Sequence, residues 1–509
     1  MDRSPFEQQL KGMNLLRSKY KNVLSAPFVS RNVISILSVT ALEYDRKIES
    51  RGECMHPIFH VIKDPVHGTM QFTSTEDAWI KPFVDSQNFQ RLRHIKQLGL
   101  GDYIFPGAVH SRFNHSVGCC YVGSQIAHKI GLADEERQLV MIACLLHDIG
   151  HGPFSHAFEG IFHQKLIQHE DWTPYFLSDY KQIDFFNTYN KRNPRHHLTE
   201  EKFKFIADMI MHQPVLKRVL ADIVSSQLDA DRLDYLLRDN HFCGVRYGEF
   251  DFRWMLHCMT IVGSNSGERL GITHKGIGVV EHYLMARRLM LRNIYHSQKK
   301  LALEFYLVEW LASLAASLED DDHFASIRET RLGQFLISAN QFNQRVKIKT
   351  NIQQEKLLFL SKNYSNYKEL CDYDVFSIVR MISNFNYNHP AVHIAKRLQY
   401  RHMPKILRVN PVDLQKLETE LQHFKAAHPS YASWQIALIQ TPHRAYSGEN
   451  DPILVVNEQG KIQTLDQLSI MISAISDQLE HIAFVCVDRH IAEEPPIKKL
   501  IDRLKANIV

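Results

Sequence analysis

Eight consecutive apolar residues, Leu139-Val140-Met141-Ile142-Ala143-Cys144-Leu145-Leu146, run directly into His147-Asp148. A helix that is apolar on every side belongs inside a protein. The next residues, Ile149-Gly150-His151-Gly152-Pro153-Phe154-Ser155-His156, cannot continue it. Pro153 lacks an N–H and the glycines give no helical preference. The chain must therefore fold around a buried helix end that carries three histidines and an aspartate. Ionisable groups in such a place are costly unless they are paired or ligated. Neutral imidazole and carboxylate suit a transition metal.

The rest of the sequence reads as the shell around that site. At 509 residues, with 44% hydrophobic and 23% charged content, it allows two or three domains and an ample core. A net charge of +4 over this length gives neither a nucleic-acid clamp nor a membrane-binding surface. The eight cysteines form no CxxC pair, and Met1-Asp2-Arg3-Ser4-Pro5 opens no signal-peptide core, so reduced thiols and a cytoplasmic location are expected. No run reaches the ~18 apolar residues of a membrane helix. Histidine is abundant, at 29 residues.

Taken in order, residues 1–55 form an accessory helical segment without a chemical motif. Residues 56–410 form the main, mostly helical domain, and 411–509 a C-terminal α+β lobe. Phe89, Leu92, Ile95 and Leu98 fall on one helical face. A helix capped near Asn114 or Ser116 runs on to Ile130, which puts His115 in its first turn. The polar stretch from Tyr175 to Thr199 reads as an irregular excursion or lid. Asp231 lies on a helix with Asp234 or Tyr235 and Arg238 or Asp239 on the same face. Thr260–Val262 and Leu270–His274 form a hairpin, and a long helix spans about Val279 to Leu318. Strands are expected at Ile436–Ile439, Ile453–Val456 and Ile482–Val487, with helices at Thr464–Leu479 and Pro496–Ala506. The fold class is mainly α.

His147 and Asp148 at one helix end, His115 from an earlier helix and Asp231 from a later one would supply two nitrogens and two oxygens to a metal. Positions would stay open for water and substrate. A metal there makes its water acidic near neutral pH. Taken singly, each residue has a blander role: a chance His-Asp neighbour pair, a helix cap, a surface ion-pair partner.

The same residues resemble the HD-domain metal-dependent phosphohydrolase superfamily, and within it the dNTP triphosphohydrolases that join a SAM domain to an HD domain. The resemblance rests on Asp64-Pro65-Val66-His67-Gly68, Phe89-Gln90-Arg91-Leu92-Arg93 through Gln97-Leu98-Gly99, and Phe105-Pro106-Gly107-Ala108. It continues through Arg112-Phe113-Asn114-His115-Ser116, His147 to His156, and Asp229-Ala230-Asp231-Arg232-Leu233-Asp234-Tyr235. It covers residues 58 to 300 well and thins towards 410. The first 55 residues are too short for a SAM domain.

The resemblance implies an all-helical HD core with a small hairpin, and His115, His147, Asp148 and Asp231 as ligands of one Fe, Mn, Zn or Ni ion. Mg2+ or Mn2+ would accompany the nucleotide. It implies a catalytic relay of His151, His156, His169 and Glu170, with Glu159 in support. Arg112 corresponds to the α-phosphate contact, and Arg232, Tyr235 and Arg287 to further phosphate-side contacts. Gln97 and Asp239 correspond to the sugar 3′-hydroxyl contacts, and Leu98 and Tyr295 to the walls around base and sugar. Asp85, Gln90 and Arg93, with Arg401 and Lys405, match a regulatory site for GTP or dGTP in a dimer or tetramer. The implied reaction converts a dNTP to deoxynucleoside and inorganic triphosphate. Two rival readings stand beside it: an HD-type phosphodiesterase or other nucleotide phosphohydrolase, and a nucleic-acid-binding or nucleotide-sensing regulator. Weak net charge counts against the last.

Overall fold

The computed structural model describes residues 60–506, apart from 264–266, 349–350 and 410–413. The expected accessory segment 1–55 lies outside the described residues. Strands β1 (His60–Asp64) and β2 (Gly68–Phe72) form an antiparallel hairpin. Its turn is held by Asp64, whose carboxylate accepts the N–H groups of Val66 and His67 at 2.9 Å each. Asp and Pro favour such a turn because the side chain satisfies the backbone locally. The helix Ser74–Val84 follows, opened by a capping box between Thr73 and Glu76.

Phe89, Leu92, Ile95 and Leu98 are all buried as expected, yet they do not share one helix. A short α turn (Gln87–Gln90) passes into a 3-10 turn (Arg91–His94), and Ile95 is extended at φ −120° and ψ 114°. The extension has a tertiary cause. Lys96 bridges to Ser111, and its N–H donates to the buried carboxylate of Asp372 at 2.9 Å.

Three helices make the core that holds the site: Arg112–Lys129, Asp134–Leu146 and Ala230–Cys243. The first packs against both of the others. In the second, every residue from Gln138 to Leu146 is buried, which is the all-round burial its composition demands. Tyr175–Thr199 is no irregular lid. It contains the end of helix His169–Asp179 and the helix Ile183–Arg192, whose Tyr189 is fully buried. The expected long helix from Val279 to Leu318 is also interrupted. Helix Ile277–Met290 passes into a π turn (Leu291–Tyr295), the chain breaks at His296-Ser297, and helix Gln298–Ser317 begins.

The last hundred residues divide between two sheets. One has the order β3 (Met259–Val262), β4 (Arg269–Thr273), β7 (Leu454–Val456) and β8 (Ile462–Thr464); β4 and β7 run parallel. The other has the order β5 (Lys405–Arg408), β9 (Glu480–Val487) and β6 (Ile436–His443), all antiparallel. A division at residue 410 therefore cuts through the second sheet and ignores the parallel pairing in the first. The expected helix Thr464–Leu479 is two short ones, Leu465–Leu468 and Ile470–Ile475, separated by the extended Ser469. One face of the β5-β9-β6 sheet packs with Leu301, Ala302 and Phe305, and the other with helices Leu414–Ala427 and Pro495–Ala506.

Candidate metal centre and its cavity

His115 sits in the first turn of helix Arg112–Lys129, and His147 and Asp148 follow the end of helix Asp134–Leu146. Asp231 is in the first turn of helix Ala230–Cys243. The three elements bring the ligand atoms together. His115 Nε2 is 3.0 Å and His147 Nε2 3.5 Å from Asp231 Oδ1. The same nitrogens lie 3.6 Å and 3.5 Å from the two oxygens of Asp148.

The imidazoles are aimed by their other nitrogens. His147 Nδ1 donates to the Cys144 carbonyl at 2.8 Å, leaving Nε2 buried without a hydrogen-bond partner. His115 Nδ1 is 2.8 Å from Asp234 Oδ2. Asp234 is held in turn by Arg238 at 2.8 Å and by His67 at 2.6 Å, and Arg238 also binds Asp64 at 2.8 Å. A carboxylate behind a ligating histidine fixes its tautomer and raises its basicity. The orphaned His147 nitrogen and the clustered carboxylates fit a divalent transition metal. Burial opposes charge on His115, but hydrogen bonds to Asp231 and Asp234 outweigh it and lift its pKa to about 10.

Cys119 also borders the cluster. Its Sγ is 3.4 Å from His115 Nδ1 and 3.5 Å from Nε2. Near-equal distances put the sulfur over the ring face, off the Nε2 lone-pair direction. Burial also holds its thiol proton on, well above the usual range. Cys119 packs against His115, and the four expected donors, His115, His147, Asp148 and Asp231, stand together beside it.

Beside this centre is a second cluster. His151 and His169 stack with ring centroids 3.6 Å apart, and His156 lies edge-on to them at 5.1 and 5.2 Å. His151 Nε2 reaches Asp148 at 3.3 Å. Burial, then Arg112 and His169, press its pKa well below the usual range, so it is neutral. Glu159 is buried and contacts His169 Nδ1 at 2.8 Å and His156 Nδ1 at 3.3 Å. The exposed Glu170 is 3.2 Å from His169 only. Glu159, not Glu170, is therefore the carboxylate that orients both histidines. Arg112 pairs with Asp148 and donates through Nε to Ser155 Oγ at 2.9 Å. The segment that delivers these groups is strained, with Phe154 at φ +53° and Ser155 at φ +56°. Asp372 braces it by accepting the Phe154 N–H at 2.7 Å. Non-glycine residues hold positive φ at a cost, and functional sites are where such strain collects.

A cavity of about 850 Å³ opens onto both clusters. Gln97, Leu98, Arg112, Tyr235, Asp239 and Tyr295 line it. Gln97 Oε1 is buried without a partner, and Asp239 is held by His110 at 2.6 Å. Arg232 and Arg287 do not line the cavity but stand behind Tyr235, which does. Arg232 binds Asp229 and the Ser226 carbonyl, and Arg287 donates to Gln227 Oε1 at 2.8 Å while its Nε is buried without a partner. Lys165 and Lys300 line the cavity without having been anticipated. Of the expected regulatory residues, Gln90 accepts from Arg93 at 2.7 Å, Arg93 covers the Phe113 ring at 3.5 Å, and Asp85 is exposed at the end of helix Ser74–Val84. Arg401 donates to the Tyr103 carbonyl at 2.8 Å, and Lys405 on β5 faces Glu493 at 3.9 Å.

Sequence reasoning missed His67, His110, Ser155 and Asp372. His67 and Asp64 stood in a recognised motif, but only the fold links them to His115. Comparison with known proteins agrees with this geometry. The family model described as HD domain matches residues 112–239. An uncharacterised Bacillus subtilis protein, YwfO, is 35% identical over 53% of this chain and 61% of its own length. The bovine deoxynucleoside triphosphate triphosphohydrolase SAMHD1 is 27% identical over 74% of this chain and 68% of its own. A crystal structure of a Bacteroides thetaiotaomicron phosphohydrolase shares the fold at a TM-score of 0.64 and 24% identity, covering 85% of this chain and all of that one. The chain spans about 60% of the length of the first curated relatives it matches.

Proposed function

We propose that this chain, whose residues 112–239 match the HD-domain model, hydrolyses deoxynucleoside triphosphates to deoxynucleoside and inorganic triphosphate. The observation that carries the reading is one cavity lined by Asp148 and Asp231 of the metal-ligand cluster, by Arg112 and by His151, His156 and His169. A bound divalent metal would be held by His115, His147, Asp148 and Asp231, and would supply an acidified water and a polarised phosphoryl oxygen. The chain's own groups do the rest. Arg112 offers a buried guanidinium to the charge that grows on the α-phosphate oxygens. His156 is the exposed histidine of its cluster and gives a proton to the 5′-oxygen as the P–O5′ bond breaks. Glu159 orients His156 and His169. Lys165, which lines the cavity, is suited to the remaining phosphates, with Arg287 behind Tyr235 and Lys300, paired with Glu304, on the same wall. Gln97 and Asp239 are suited to the sugar hydroxyl, with Tyr295 closing the space beside it.

A regulatory nucleotide belongs to the same reading. The Gln90–Arg93 pair over Phe113, with Asp85, offers a guanine edge both an acceptor and donors, and GTP or dGTP would promote a homo-oligomer.

The test is product analysis. Purified protein with Mn2+ or Mg2+ and each dNTP, with and without GTP or dGTP, should release intact triphosphate and deoxynucleoside, and His147→Ala/Asp148→Ala protein should release neither. A second reading, another nucleotide phosphoester, draws on the engagement of Arg232 by Asp229 and the Ser226 carbonyl and of Arg287 by Gln227. Release of a nucleoside monophosphate in place of triphosphate would select it.

A further inference from the structure

Strand β6 is at the edge of its sheet, paired with β9 on one side only. Four consecutive residues of it, Leu438, Ile439, Gln440 and Thr441, line the same cavity as Asp148, Asp231 and Arg112. Side chains of consecutive strand residues point to opposite faces. A cavity touched by all four therefore runs along the strand's edge, where backbone groups project, and not along a face. Both faces are in any case covered, Leu438 packing with the outer helices' cluster and Ile439 with Leu301 and Phe305.

Which backbone groups project follows from the register. Asp488 donates its N–H to the Gln435 carbonyl at 2.7 Å, so the 435/488 pair is hydrogen-bonded across the ladder. Antiparallel pairs alternate, so Ala437, Ile439 and Thr441 turn their backbone groups towards β9. Leu438 and Gln440 turn theirs outward. Pro442 agrees with this parity. It has no N–H to give, stands opposite His481, and falls on the outward series. The Leu438 carbonyl and the Gln440 N–H thus form an adjacent acceptor and donor on the cavity wall.

We propose that this free edge of β6 is the nucleobase-binding wall of the cavity, reading the base through the Leu438 carbonyl and the Gln440 N–H. The inference rests on the dNTP reading above. Every nucleobase carries neighbouring donor and acceptor groups on its pairing edge, the complement of this wall. Only two outward residues border the cavity, which suits a base and is too short for an added peptide strand. The C-terminal lobe would then supply the base contacts, while the HD helices supply metal and phosphate contacts.

Two substitutions separate backbone from side chain. Gln440→Pro removes the outward N–H at an edge position that tolerates proline, while Gln440→Ala keeps it. The probes are the four dNTPs and 2-deoxyribose 5-triphosphate, which lacks a base. With the full chain, Gln440→Pro should lower kcat/KM for a dNTP by roughly 10-fold, as expected for one lost hydrogen bond to a buried partner. It should leave the baseless substrate unchanged, and Gln440→Ala should stay within about 2-fold of wild type. Equal losses on dNTP and baseless substrate, or no loss on either, would overturn the inference. If wild-type protein turns over no dNTP, the functional reading fails by itself. Equilibrium dialysis of dATP, dGTP, dCTP and dTTP then decides the wall: binding weakened by Gln440→Pro and spared by Gln440→Ala upholds it, and any other pattern, including no binding, refutes it. Matching thermal melts for the three proteins exclude misfolding; should Gln440→Pro melt early, wild-type protein is given instead a purine deoxynucleoside triphosphate without the exocyclic group, where a roughly 10-fold lower kcat/KM than for dATP upholds the wall and an equal kcat/KM overturns it.

Discussion

Asp234 donates no atom to the metal centre, yet His115, His67 and Arg238 all converge on it. Its carboxyl is held well below the usual range: burial works against the charge, and Arg238 with the two histidines overcomes it. Asp234→Asn should lower metal affinity about 10–100-fold through His115, measured by metal titration and content. It should also cost about 3 kcal/mol of stability, because Arg238 loses one of its two buried partners. Unchanged metal content and stability would show that His115 is oriented by something else. Glu159→Gln should reduce kcat by roughly 10²-fold or more with little change in KM, since it orients both histidines without facing the phosphates; a fall in KM-dependent rate alone would contradict that role. At this scale the grouping of His115, His147 and Asp148 was legible, because they stand at helix ends whose burial composition announces. The partners of Arg232 and Arg287 were not, because charge and helical position cannot reveal that Asp229 and Gln227 meet their guanidiniums.

Elements show the same division between local and tertiary causes. The capping box of Ser74–Val84 is local in origin, but Glu76 has been drawn into the interior, where His128 at 2.6 Å and Arg137 at 3.5 Å meet it. Burial opposes the charge, while the His128 and Thr73 hydrogen bonds prevail and lower its pKa from 4.5 to about 2. A depressed carboxylate contributes stability that is fully present above its unfolded pKa and lost as pH falls through the folded one. Glu76→Gln should therefore melt lower than wild type at pH 6, and the gap should narrow from about pH 4.5 downwards and close near pH 2. A gap independent of pH would mean that shape, not charge, is what Glu76 contributes. The break near Tyr295 had no such local signal. A π turn inserts one extra residue into a helical repeat, and Leu291–Tyr295 uses it to bring Tyr295 to the cavity. Periodicity read from sequence assumes an unbroken 3.6 and passes over it. The run from Phe89 to Leu98 failed similarly, because Asp372, far along the chain, claims the Lys96 N–H.

Across the whole molecule, the C-terminal residues complete a domain that the sequence had seemed to finish by residue 410. Strand pairing between distant segments leaves no mark on local composition, so the parallel β4–β7 contact could not be read in advance. Its consequence reaches the metal centre through Asp451. That carboxylate accepts the Gln227 N–H at 3.0 Å and an Arg269 N–H at 2.8 Å, while Arg269 also binds the buried Asp222 at 2.6 Å. Gln227 opens the short turn that delivers Asp231. The turn is closed by Asp229, which accepts the N–H groups of Ser226 at 2.9 Å and Arg232 at 2.7 Å. The C-terminal segment thus clamps the loop that leads to Asp231. Asp451→Ala should remove two hydrogen bonds, one to a charged group, and cost about 2–3 kcal/mol in urea unfolding. Because the freed loop precedes Asp231, metal affinity should fall with it, and added metal should restore part of the lost stability by mass action. Stability lost without any change in metal affinity would mean that the clamp serves the β3-β4-β7-β8 sheet and not the ligand loop. Coupled losses would mean that the lobe and the HD helices fold as one unit around the metal.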